Sequence, residues 1–118
     1  MSQRIGSEIQ HDLEYEANYD HNKNLHRILE AIAAQTRLGG GPKAIERHKA
    51  KGKLTARERI EALLDPGTEP LEIGLYAAHG MYEREGGAPS GGVVVVIGQV
   101  SGRDCIIVAN DATVKAGA

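Results

Sequence analysis

The sequence contains no tryptophan, no phenylalanine and only four tyrosines among its 118 residues. A core in this chain must therefore be built from isoleucine, leucine, valine and alanine. The single cysteine, Cys105, excludes a disulfide within the chain and is typical of a reducing compartment. Unbroken apolar runs such as residues 93–97 are far too short to cross a bilayer. Residues 1–12 lack the apolar stretch of a secretory signal, so we expect neither a leader peptide nor a membrane association.

Charge is nearly balanced over the whole chain, at −2 near neutral pH, so no global feature predicts a nucleic acid or a membrane as a partner. Locally it is uneven, because residues 8–20 carry five acidic and no Lys or Arg side chains. A basic patch within residues 43–59 consists of Lys43, Arg47, Lys49, Lys51, Lys53, Arg57 and Arg59. It has none of the interleaved aromatic residues that a single-strand nucleic-acid surface uses. It is either a solvated helix face or a surface for a phosphate-bearing ligand or an acidic partner.

Helical periodicity dominates the first part of the chain. Apolar residues recur at the spacing of one helix face from Leu25 to Ala33 and predict a helix over residues 24–38. A thinner apolar stripe extends this helix into residues 7–23. The glycines 39–41 end it, because glycine adopts the left-handed conformation without strain. These glycines are either a simple turn between helices or a source of backbone N–H groups for an anion.

Two shorter helices follow. A proline suits the first position of a helix over residues 42–50. Thr55 and Glu58 have the spacing of a capping box, which predicts a third helix over residues 55–65. Pro66 ends this helix, because the residue before a proline is pushed out of the helical region.

The period changes after Gly67, where β-branched runs replace helical spacing. These runs predict a hairpin with strands 93–100 and 104–110 and with Ser101-Gly102 at its tip. Residues 71–73 alternate and predict a further short strand. Because the run 93–97 is continuously apolar, we expect both of its faces to be buried. Three short helices cannot provide both covering layers, so we expect the chain to be the front part of something larger.

Residues with catalytic or metal-binding chemistry form few firm patterns. The five histidines lack the spacing of a metal site, so none is predicted; they are His11, His21, His26, His48 and His79. Cys105 has no evident base nearby and is expected to be a small hydrophobic side chain rather than a nucleophile. Asp65 and Asp104 are expected to be a helix-end and a turn residue. No residue of the chain is therefore assigned a catalytic role.

The segment after the second hairpin strand is the best candidate for ligand contact. Ligands of α/β sheets collect beyond the carboxyl ends of strands, and small residues there allow a close backbone approach. The candidate residues are Thr113, Val114, Lys115, Ala116 and Gly117. The alternative is an ordinary strand-to-helix loop, in which Thr113 caps the helix and Lys115 is solvated.

Three blocks of the chain together resemble one protein family. The stretch Gly39–Ile60, with the core His48-x-x-x-Gly-Lys-Leu-Thr-Ala-Arg-Glu-Arg-Ile60, resembles the N-terminal signature of the carboxyltransferase (β) subunits of biotin-dependent acyl-CoA carboxylases. It continues through Leu-Leu-Asp-Pro-Gly-Thr68. The block Pro89–Arg103 resembles the first β-hairpin of that family. The block 107–115, Ile-Val-Ala-Asn-Asp-Ala-Thr-Val-Lys, resembles the methylcrotonoyl-CoA carboxylase branch. The propionyl-CoA branch usually has Phe at the position of Ala112.

The resemblance implies a crotonase-like α/β fold, a twisted β-core with helices, of which this chain shows an α+β part. Residues 1–66 then form a helical N-terminal arm. Residues 67–118 form the start of a carboxyltransferase N-terminal domain, which is truncated. Members of the family assemble as oligomers, in the cytoplasm of bacteria or in the mitochondrial matrix of eukaryotes.

The resemblance also implies a reaction, the transfer of a carboxyl group from carboxybiotin to an acyl-CoA such as methylcrotonoyl-CoA. The cofactor, biotin, is borne by a partner, a biotin carboxylase or biotin carrier subunit, and not by this chain. Residues 113–117 are expected to line the acyl-CoA entrance, with Lys115 near the phosphates and the adenine against Ala116 and Gly117. The oxyanion-forming glycines of the family lie beyond Ala118, so the chain alone is expected to be inactive. The alternative function is a free-standing binding or assembly module that reuses the arm without catalysis.

Overall fold

The computed structural model describes residues 5–117. The prediction about a leader peptide falls partly on residues 1–4, outside the described part. The chain divides into two compact units, Met1–Ile32 and Ala33–Ala118. No helix within the described part combines the length and the apolar character needed to cross a membrane.

Helix α1 covers Leu13–Thr36. It begins after Asp12, whose carboxylate accepts the Tyr15 N–H at 2.8 Å, as an N-cap side chain does. The predicted helix and its extension toward the N-terminus are therefore confirmed from Leu13 to Thr36, whereas residues 37–38, also predicted as helical, already form a turn. Residues 7–12 are not helical, because the Asp12 cap sets the start of α1.

Two short helices follow in the second unit. Helix α2 covers Pro42–Lys49, with the predicted proline in its first turn. Helix α3 covers Ala56–Leu63 and is capped as predicted: Thr55 Oγ1 accepts the Glu58 N–H at 3.2 Å, and Glu58 Oε2 accepts the Thr55 N–H at 2.9 Å. It ends two residues earlier than predicted, because Leu64 already has an extended backbone.

The sheet has three antiparallel strands in the order β1-β2-β3. Strand β1 is Leu71–Ile73, β2 is Val93–Val100 and β3 is Arg103–Asn110. The predicted short strand and hairpin are thus confirmed. Ser101 and Gly102, at the tip, have φ angles of +51° and +73°. Two successive positive φ angles give the turn whose twist matches that of a hairpin.

The core lies between α3 and one face of the sheet. It consists of Ala56, Ile60, Val94 and Val96, with Leu64, Ile107 and Ala109 packed against it. Strand pairing places every second residue of β2 and β3 on this face. The core is purely aliphatic, as the lack of Trp and Phe predicted.

The opposite side of the sheet is an apolar outer face. It consists of Leu71, Ile73, Val95, Ile97, Ile106 and Val108, which strand pairing places on one side. The side chains of Ile106 and Val108 are 70% and 63% exposed. The prediction that both faces of residues 93–97 are buried is therefore wrong for the described part of the chain. Alternate residues of β2 are only half-buried, because α3 covers a single face.

Candidate functional site

The candidate segment leaves β3 through a network around Asp111. Its Oδ1 atom accepts the backbone N–H of Thr113 at 2.9 Å and the Thr113 hydroxyl at 2.6 Å. The Asp111 N–H in turn donates to the Gly92 carbonyl at 2.8 Å, next to the start of β2. Hydrogen bonds within residues 111–113, and one bond to Gly92 just before β2, therefore fix the path of the chain after β3.

The hydroxyl of Thr113 has a second partner far away in the sequence. Thr113 Oγ1 accepts the backbone N–H of Gly40 at 3.0 Å, across 73 residues. Gly40 belongs to the glycine turn between α1 and α2, which the sequence presented as a simple turn or an anion cradle. Its three N–H groups are already taken, that of Gly40 by Thr113 and those of Gly39 and Gly41 by the carbonyls of Thr36 and Leu38. The turn is therefore an attachment point for the candidate segment, which sequence reasoning did not find.

The glycine turn and the candidate segment approach so closely that side chains do not fit between them. A Cβ atom on Gly40 would overlap the Thr113 backbone carbonyl. A Cβ atom on Gly39 would overlap the Asp111 carboxylate and come within 2.8 Å of Thr113 Oγ1. The run of three glycines was the one sequence signal of this approach, since Gly40 does not have the positive φ that turns require of glycine.

The five candidate residues differ in their accessibility. Val114 is buried, with 3% of its surface exposed, so its side chain packs inward. Thr113 and Gly117 are half-buried, while Lys115 and Ala116 are exposed. The last three residues of the candidate segment form a left-handed turn, with φ angles of +45° at Lys115, +55° at Ala116 and +84° at Gly117. Lys115 and Ala116 adopt this conformation although they are not glycines, so surrounding contacts must hold it.

The ammonium group of Lys115 contacts the loop between β1 and β2. Its Nζ donates to the Glu85 backbone carbonyl at 2.8 Å. Lys115 is therefore not simply solvated, and it joins the candidate segment to the turn at Glu83–Glu85. That leaves two of the ammonium hydrogens for a ligand.

Two members of the basic patch, Lys49 and Arg57, form ion pairs in the structure. Arg57 forms a two-pronged pair with Glu72, with both nitrogen–oxygen distances at 2.8 Å, and these side chains are 27% and 17% exposed. Lys49 lies 2.6 Å from Glu58 and, with the Thr55 N–H, lowers the pKa of that carboxyl below its ordinary 4.5. The remaining members are exposed and have no ion pair within residues 5–117: Lys43, Arg47, Lys51, Lys53 and Arg59.

A separate open cleft of about 1200 Å³ lies beside α3 and β1. Ile60, Leu64 and Val96 contribute apolar lining, and the Arg57–Glu72 pair lies at its wall. The described residues that line it include none of the five candidate residues. The cleft and the candidate segment are therefore distinct surfaces.

His48 and Cys105 are two further residues that the sequence analysis considered as possible functional side chains. His48 Nε2 lies 2.9 Å from the Leu54 carbonyl and so bridges α2 to the connector before α3. Cys105 is half-buried on β3. Among residues 5–117, no three side chains of His, Cys, Asp or Glu come together as a metal site.

Comparisons with known proteins agree on one family. The family model described as the carboxyl transferase domain matches residues 47–118. A probable mitochondrial methylcrotonoyl-CoA carboxylase β chain of Drosophila melanogaster is 48% identical over 104 residues, which are 88% of this chain and 18% of the relative. A biotin-dependent 3-methylcrotonyl-coenzyme A carboxylase β1 subunit of Mycobacterium tuberculosis is 49% identical over 98 residues, 83% of this chain and 18% of the relative.

A solved structure shows the same fold. The transcarboxylase 12S crystal structure, described as a hexamer with hydrolysed methylmalonyl-coenzyme A bound, superimposes with a TM-score of 0.68 at 31% identity. The alignment covers 80% of this chain and 18% of that one. The chain thus spans about a fifth of the length of the proteins that it matches. Its helices, its antiparallel hairpin and its sequence together show that it belongs to the carboxyl transferase domain family.

Proposed function

We propose that this chain is the N-terminal part of a carboxyltransferase subunit, which transfers a carboxyl group from carboxybiotin to an acyl-CoA. The observation that carries the proposal is the family match over residues 47–118, which covers α3, the sheet and the candidate segment. Residues 1–66 act as a helical arm, and residues 67–118 begin the domain that holds the substrate. Helix α3, although part of the arm in sequence, packs on the sheet and so links the two.

The acyl-CoA contact is assigned to residues 113–117. The exposed Lys115 supplies a cation for the phosphates, and Ala116 and Gly117 supply a backbone that a planar base can approach. Thr113 and Val114 mainly anchor the segment to the rest of the fold, because the Thr113 hydroxyl bonds both Gly40 and Asp111 and the Val114 side chain is buried. The names of the relatives favour a methylcrotonoyl-type acyl group.

Biotin is assigned to a partner subunit, a biotin carboxylase or biotin carrier, and to no residue of this chain. Every buried side-chain nitrogen and oxygen among residues 5–117 has a hydrogen-bond partner, so no buried polar atom of the described part points to a bound cofactor. No step of the transfer is assigned to the described residues. Their contribution is to bind and orient the acyl-CoA.

The assembly and location follow the relatives. One similar structure is described as a hexamer, which supports a homo-oligomeric full-length subunit. The Drosophila and Arabidopsis relatives are named as mitochondrial, which supports the matrix as the location in a eukaryote and the cytoplasm in a bacterium.

The test is carboxylation by the full-length subunit together with its biotin-bearing partner. We expect turnover of methylcrotonoyl-CoA that depends on bicarbonate and ATP and that avidin abolishes. Propionyl-CoA serves as the competing substrate, and the ratio of the two kcat/KM values assigns the acyl group. The 118-residue chain, mixed with the same partner, is expected to give no turnover. Turnover by that chain, or none by the full-length subunit with any acyl-CoA, would contradict the proposal.

A further inference from the structure

The glycine turn, Gly39–Gly41, touches the candidate segment at one point. Gly40 donates its N–H to Thr113 Oγ1 at 3.0 Å, and Thr113 Oγ1 donates to Asp111 Oδ1 at 2.6 Å. These two bonds form a chain from the helical arm, through a side chain, to the first residue after β3. We propose that Gly40 is a positioning residue for acyl-CoA, because it fixes the place of residues 113–117; this inference rests on the proposed function.

The first support is steric. A side chain on Gly40 has no room, since its Cβ atom would overlap the Thr113 carbonyl, a backbone atom that cannot rotate away. The same Cβ would lie 3.1 Å from the Ala44 Cβ in α2. Any residue larger than glycine must therefore push Thr113 and the arm apart. The displacement reaches the candidate segment directly, because Thr113 is its first residue.

The second support is the strained turn that follows Thr113. Lys115 and Ala116 hold positive φ angles of +45° and +55°, which non-glycine residues keep only where other contacts fix them. The Thr113 bonds, the buried Val114 side chain and the Lys115 bond to Glu85 hold this turn. Two backbone bonds also hold it, from the Val114 N–H to the Asp111 carbonyl at 3.0 Å and from the Gly117 N–H to the Val114 carbonyl at 2.9 Å. Gly40 supplies the contact from the glycine turn, and without it that contact is lost.

The third support is that Gly40 differs from its neighbour. Gly41 has a φ angle of +91° and no atom within 4 Å of its would-be Cβ, so its glycine is required by conformation. Gly40 has no positive φ, so glycine is required there because Thr113 and Ala44 leave no room for a Cβ atom. The two substitutions Gly40→Ala and Gly41→Ala therefore separate displacement of Thr113 from a general loss of stability.

The experiment compares these two variants in the full-length subunit with its biotin-bearing partner. For Gly40→Ala we expect the KM for acyl-CoA to rise about tenfold while kcat changes less than about threefold, because binding geometry rather than chemistry is disturbed. For Gly41→Ala we expect a lower melting temperature with an unchanged KM. Equal KM changes in both variants, or an unchanged KM in Gly40→Ala, would overturn the proposal.

A second measurement needs no activity. Hydrogen exchange of residues 113–117 in the unliganded full-length subunit should speed up in Gly40→Ala and not in Gly41→Ala. If this pattern appears but wild-type protein carboxylates no acyl-CoA, the positioning contact stands and the proposed function fails. If wild-type protein is active but the exchange does not change, the positioning role is wrong. Should Gly40→Ala fail to fold, Thr113→Val removes the bond to Gly40 together with the bond to Asp111, with a side chain of similar shape, and must also speed up exchange in residues 113–117.

Discussion

The carboxylate of Asp65 accepts the backbone N–H of Gly102 at 2.7 Å. Its other oxygen accepts the N–H of Ser101 at 2.7 Å, and the Asp65 N–H donates to the Gln99 carbonyl at 2.8 Å. Asp65, two residues after the end of α3, therefore clamps the tip of the hairpin. Asp65 was expected only to end a helix, but its carboxylate also holds the turn of a sheet that begins later in the sequence.

Replacing Asp65 with alanine should destabilise the hairpin tip. Two hydrogen bonds to an ionised acceptor are lost, and two N–H groups return to water, so we expect about 2–3 kcal/mol less free energy of unfolding. Urea denaturation of the full-length subunit measures this loss. Asp104→Ala is the matched control, because Asp104 is exposed and its side chain has no hydrogen bond within residues 5–117. Equal losses in the two variants would show that the clamp contributes nothing.

The pair formed by Arg57 and Glu72 should contribute more than an ordinary surface pair. Both side chains are largely shielded and both nitrogen–oxygen distances are 2.8 Å. A double-mutant cycle with Arg57→Met and Glu72→Gln should give a coupling of about 1–2 kcal/mol. The Lys49–Glu58 pair, which is more exposed, is the comparison and should give a smaller coupling. A larger coupling for Lys49–Glu58 would contradict the assignment.

The capping carboxylate of Glu58 should make stability depend on pH. Hydrogen bonds from Lys49 and then from the Thr55 N–H lower its pKa in the folded chain, relative to an ordinary 4.5. A lowered folded pKa stabilises the fold above the unfolded pKa, and this contribution disappears as the pH falls through the folded value. Wild type should therefore exceed Glu58→Gln in melting temperature at pH 7. The difference should shrink steadily below about pH 4. A difference that grows on acidification would reverse the sign that the contacts predict.

How far the sequence predicts this structure depends on how local each interaction is. The capping box of Thr55 and Glu58 spans three residues, and the hairpin turn spans two, so both were readable. The bond between Gly40 and Thr113 joins residues 73 positions apart, and nothing in either segment specifies the other. The three glycines were interpreted as a turn or as a source of N–H groups for an anion, and neither interpretation pointed to Thr113.

The burial of β2 shows a second reason why the sequence predicts this structure only in part. A continuous run of β-branched residues predicts strands that favour burial, but it does not say which layer covers them. Helix α3 covers Val94 and Val96, whereas Val95 and Ile97 remain half-buried on the outer face. Local pattern therefore predicted the strand and the hairpin turn, and not the layers around them.

The apolar outer face should make the isolated 118-residue chain self-associate. It exposes aliphatic side chains on three strands, and β3 presents an unpaired edge within the described sheet. Light scattering should show oligomers that Val108→Lys reduces. Leu54→Lys introduces the same charge at an exposed leucine outside this face and should not reduce them. A monodisperse wild-type monomer with a cooperative melt would contradict this prediction and favour the free-standing binding module.

Lys115 should affect substrate binding rather than chemistry. Its ammonium group is exposed, and one of its hydrogens is used by the Glu85 carbonyl, so it can also contact a phosphate. In the full-length subunit, Lys115→Ala should raise the KM for acyl-CoA about twofold to twelvefold, since one such contact contributes about 0.5–1.5 kcal/mol. The kcat value should change little, and Lys115→Arg, which keeps the charge, should retain most of the affinity. An unchanged KM would leave Lys115 as a tie to the Glu83–Glu85 turn only. A fall in kcat alone would mean that the segment acts on the reacting groups.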